Sequence, residues 1–81
     1  MLTIKLLEKN KSFVTYNYFP EDRSEEYQGK VTIRLADRKV VDATKSGLGG
    51  YYSIYLGHAI QRIKENIENN EFPETDFVAW W

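Results

Sequence analysis

Eighty-one residues with a formal net charge of −1, 42% of them apolar, 28% charged and none cysteine, describe one small globular domain spanning 1–81. The balanced charge gives no reason to expect a nucleic-acid or membrane partner. The lack of cysteine excludes disulfides and thiolate metal sites and makes the cytoplasm the expected compartment.

The chain opens with MLTIKLLEKNKS, which lacks the ~7–15-residue apolar core of a signal peptide. Leu2, Ile4 and Leu6 alternate with Thr3 and Lys5, the period of a strand, and EKNKS reads as a polar turn. Phe13 to Phe19, FVTYNYF, is the most strand-like stretch, with aromatic and β-branched side chains on both sides. Val14, Tyr16 and Tyr18 point one way, and Phe13, Thr15, Asn17 and Phe19 the other. Two apolar faces predict a central place in the sheet.

Pro20 ends that strand, and a charged loop, PEDRSEEYQG, follows. KVTIRL resumes the alternation with Val31, Ile33 and Leu35 inward; ADRK is a turn, and VVDAT reads as a fourth, shorter strand. Connections this short predict an antiparallel meander.

Next, Tyr52, Leu56, Ala59, Ile60, Ile63 and Ile67 fall at three- and four-residue spacings, one stripe of a long helix. Asn69-Asn70 and Pro73 stop it. No run approaches the ~20 apolar residues of a membrane span. The predicted fold is α+β: a three- or four-stranded antiparallel sheet with one long helix on a face, in two layers.

The helix carries a second stripe. Tyr51, Ile54, Tyr55 and His58 cluster about 130° from the first, and Arg62 continues their line. Two covers fit: the chain's own tail, DFVAWW, whose Val78, Trp80 and Trp81 can reach back to Tyr55 and His58, or a second copy in a two-fold contact. The candidate interaction surface is therefore Tyr51, Ile54, Tyr55, His58, Arg62, Trp80 and Trp81.

Reactive chemistry is harder to find. His58 is the single imidazole, yet Ser53 does not share its face, so packing among aromatics is the expected role. SGLGG, Ser46 to Gly50, matches neither the P-loop nor the dinucleotide pattern and reads as a strand-to-helix turn. Glu21, Asp22, Glu25 and Glu26 lack the spacing of a calcium loop. Tyr16 and Tyr18 beside Lys30 and Arg34 could act as a stacking platform for single strands, but cross-strand packing is the simpler expectation. No catalytic residue, metal site or cofactor is assigned.

Tyr18-Phe19-Pro20-Glu21, then His58-Ala59, then Phe72-Pro73-Glu74 and Val78-Ala79-Trp80 resemble the YYPE-like strand end, YxxHA helix and FPE…VAW tail of a family of small uncharacterised proteins from low-G+C Gram-positive bacteria. The resemblance covers most of the chain beyond the first strand. It implies a complete small protein rather than a fragment and carries no activity. The functional expectation is a non-enzymatic protein-interaction module, self-associating as a homodimer through its aromatic surface. The alternative is a small-ligand or nucleic-acid binder, which would need a pocket at Tyr51, Tyr55 and His58 or a basic strip on the sheet.

Overall fold

A computed structural model of the chain describes residues 2–20, 28–44 and 52–79. Strands β1 (Leu2–Lys9), β2 (Phe13–Pro20), β3 (Gly29–Arg34) and β4 (Lys39–Thr44) form the predicted antiparallel meander. Helix α1 (Tyr52–Glu68) follows, and β5 (Thr75–Val78) closes the described chain. The sheet order β4-β3-β2-β1-β5 puts β2 in the middle, as its two apolar faces require.

The fifth strand corrects the expected three or four. After the helix, the chain crosses to the outer edge of β1, where the Leu6 amide donates to the Glu74 carbonyl at 2.8 Å. From there Val78, Phe77, Asp76 and Thr75 pair antiparallel with Leu2, Thr3, Ile4 and Lys5. The sequence leaves the tail two ways to dock, on its own chain or on a second copy; its segment Thr75–Val78 pairs with its own chain as an edge strand, because β1 had unpaired backbone groups to offer.

Turn chemistry sets the two described hairpins. In the first, Asn10 Oδ1 accepts from the amides of Ser12 and Phe13, both at 2.8 Å, an Asx turn that caps the loop. In the second, Arg34 grips Asp37 with two hydrogen bonds, 3.0 and 2.7 Å, and Arg38 takes a left-handed φ of 57° to reverse the chain. The Arg34 hydrogen bond is the main reason that the Asp37 carboxyl is held down to about 2. Arg38 also reaches Glu68 at 3.1 Å, tying this turn to the end of the helix.

One face of the sheet builds the core. Leu2 and Ile4, Val14, Tyr16 and Tyr18, Val31 and Ile33, with Val78, all project towards α1 and are buried. The helix returns Ala59 and Ile63, both buried, flanked by the partly buried Leu56, Ile60 and Ile67. These are the residues of the predicted stripe; the side chain of Tyr52 lies outside those described. Asn70, with φ of 55°, ends the helix. Its amide donates to the Ile67 carbonyl at 2.9 Å and that of Glu71 to Asn66 at 2.8 Å, a Schellman cap with asparagine in the place that glycine usually fills. No helix among the described residues is long and apolar enough to cross a membrane.

Candidate interaction surfaces

The outer side of α1 is built from residues that the core stripe leaves over. Ile54 is half exposed, and Gly57, His58, Gln61 and Glu65 follow at helical spacing along the same side. Tyr55, assigned to this surface from the sequence, packs against the core instead. It lies one turn before the buried Ala59 and is itself partly buried.

Arg62 belongs to an electrostatic clasp rather than an open surface. Its Nη1 lies 3.1 Å from Asp76 Oδ2, which also accepts from Asn66 Nδ2 at 3.2 Å. A weaker pair runs from Arg62 to Glu65 at 3.8 Å. Asp76 Oδ1 accepts from the Phe77 amide at 2.9 Å, so one carboxylate joins β5 to two turns of the helix. Charge-assisted bonds of this kind are roughly twice as strong as neutral ones. The clasp holds the edge strand in place.

Next to it, His58, Gln61, Arg62 and Glu65 face Val78 and Ala79 across a shallow cleft of about 220 Å³. The tail therefore reaches the level of His58, as its length allows. Tyr51, Trp80 and Trp81, the other residues expected on this surface, lie outside the described residues, as do the SGLGG turn and the acidic run from Glu21 to Glu26. Among the described residues no three His, Asp or Glu side chains gather as metal ligands.

Tyr16 anchors the crossing from helix to β5. It is only 1% exposed, and its hydroxyl donates to the Pro73 carbonyl at 2.8 Å. Burial first, and then the nearby Asp76 carboxylate, push its pKa up from 10.0 to about 12. Between those values the unfolded chain loses the phenolic proton while the folded chain keeps it. Its contribution is thus complete below pH 10 and is lost as pH rises towards 12, a fall of up to about 3 kcal/mol. Urea unfolding measured from pH 8 upwards should show this decline, and Tyr16→Phe should flatten it. An equal decline in the variant would mean that the folded chain tolerates a tyrosinate there.

Among the described residues, the other face of the sheet has no helix over it. Thr15 and Thr32 share a hydroxyl–hydroxyl bond of 2.8 Å at its middle, with Asn17, Lys5 and Lys30 alongside. Phe77 is more than half exposed there, Phe13 about a third, and Phe19 is half-buried. Tyr16 and Tyr18 point to the core, so they cannot form a platform with Lys30 and Arg34. The phenylalanines do share the face of those two cations. Periodicity had already put Phe13, Phe19 and Arg34 on the outward side; Phe77 was invisible because its strand was.

Comparison with known protein families, with curated proteins and with solved structures finds no match for this chain.

Proposed function

We propose that this chain is a small protein-interaction module that self-associates, as a two-fold homodimer, through the outer face of α1. The observation that carries the reading is Gly57. Glycine inside a helix costs about 1 kcal/mol relative to alanine, and here a Cβ would meet nothing within 4 Å. Packing against the other described residues thus supplies no reason for it. Close approach of a second helix does, since only glycine leaves room for backbone against side chain. Ile54, at 50% exposure, lies one turn before it and would seat on the partner's Gly57. The role is binding, with no catalytic step, and the cysteine-free composition fits a cytoplasmic setting.

Light scattering and sedimentation test the reading. The wild type should have the mass of two chains, Ile54→Glu that of one, with the fold retained by circular dichroism. Gly57→Ala separates the alternatives. On a merely solvated helix it should raise stability by about 0.5–1 kcal/mol and leave the mass unchanged. At a packed interface it should weaken the dimer. A wild type of single-chain mass at every concentration, together with a stabilised Gly57→Ala, would remove the proposal.

A further inference from the structure

The uncovered face is ordered in rows across the strands. In the first row Phe77 and Phe19 flank Thr3, their common cross-strand partner, which is only 6% exposed. The two rings lie two strand spacings apart, ~10 Å, with Phe77 58% exposed. In the second row Thr75, Lys5, Asn17, Lys30 and Thr44 stand side by side. At the far end of β2, ~20 Å from Phe19 at 3.3 Å per residue, Phe13 pairs with Arg34.

Charge is unevenly shared. The chain as a whole is slightly acidic, yet this face carries Lys5, Lys30, Arg34 and Lys39 against Glu8 and Asp42. Arg34 is already paired with Asp37, which leaves the lysines to meet an anion. A second copy stacked on this face would set its lysines against these. A peptide strand would add to an edge, but both edges resist: β4 has a bulge at Val41 and begins with Lys39, and β5 is four residues long. The face suits a ligand that is anionic and presents flat π surfaces. Lys5 lies over the Phe19 ring, 5.3 Å from its centroid, so a base stacks on Phe19 only as Lys5 swings off the ring towards a phosphate.

We propose that the uncovered sheet face binds a short run of single-stranded nucleic acid, with bases stacking on Phe77 and Phe19 and phosphates meeting Lys5 and Lys30. Phenylalanine has no hydrogen-bonding group, so stacking on it tolerates any base. Duplex is disfavoured because no element of this flat face projects into a groove. The length from Phe19 to Phe13 matches the lower end of single-strand sites, ~4 nucleotides. Binding here is separate from the helix face that carries the proposed self-association.

The test is fluorescence anisotropy with a labelled oligothymidylate of about twelve nucleotides, long enough to fill such a site. Two phosphate contacts predict a loss of about sevenfold between 50 and 200 mM salt, from a slope near −0.7 per contact on single strands. Phe77→Ala, at an exposed position, should weaken binding by about 5- to 160-fold, and Lys30→Glu should abolish it, both with unchanged circular dichroism. Ile54→Glu should bind as the wild type does, which keeps this outcome distinct from that of the dimer test. No binding at low salt would overturn the proposal. So would equal binding of an oligoglutamate peptide or a duplex of the same length, or an undiminished affinity in Phe77→Ala.

Discussion

Gly29→Ala should destabilise the domain by about 3 kcal/mol, at the upper end of what overpacking usually costs. Gly29 is buried in β3 directly opposite Tyr18, and the Tyr18 ring lies across it. A Cβ at this position would overlap the ring carbons and hydroxyl of Tyr18. The ring has nowhere to move. It is fully buried in the central strand, and its hydroxyl reaches the Thr44 carbonyl of β4 at 3.4 Å. Glycine therefore serves here as the floor of an aromatic site, a packing role for a residue that ordinarily weakens a strand. A double-mutant cycle in urea checks the mechanism. Once Tyr18→Ala has removed the ring, Gly29→Ala should cost little. Additive losses in the double variant would show that the clash is not the cause.

Ile63→Ala should cost about 2–5 kcal/mol, the usual penalty for a buried aliphatic side chain plus the cavity that it leaves. Ile63 is 1% exposed at the centre of the helix stripe, within the cluster that joins α1 to the sheet. For a domain with roughly 5–15 kcal/mol in all, such a loss can unfold much of the population. Ile54→Ala is the internal comparison: same residue, same helix, half exposed, with an expected change within about 0.5 kcal/mol under conditions where the chain is monomeric. Equal midpoints for the two variants would mean that the faces of α1 are reversed.

The sheet also explains its own size. Three of the described turns have a local cause, the Asx turn at Asn10, the Arg34–Asp37 grip and the Schellman cap before β5, and bulges opposite Thr15 and Ile33 interrupt β1 and β4. The two bulges leave Leu7 and Val41 as extra, unpaired residues, and both are among the exposed apolar side chains. A bulge twists its strand, which on the outer β4 hinders addition of a further strand.

What the sequence alone determined is the part of the fold written in short-range periodicity. The inward sides of β1, β2 and β3, the central place of β2, the meander, the helix stripe through Ala59 and Ile63 and the stop at Asn69-Asn70 all follow from neighbours two to four residues apart. Tertiary structure decided what depends on a distant partner. TDFV is too short to show a strand period, and it became β5 because the edge of β1, at the other end of the chain, was open. Tyr55 joined the edge of the core cluster through contacts that only the packing of the helix on the sheet provides. Gly29 acquired its purpose only when pairing set it beneath Tyr18, and Phe77 reached Thr3 and the row of Phe19 only through β5. The candidate helix surface was legible in Ile54 and His58, because one turn of helix relates them. The open sheet face was legible only in part: periodicity sets Phe13, Phe19 and Arg34 outward, but Phe77 joins them through β5, whose partner strand lies at the other end of the chain.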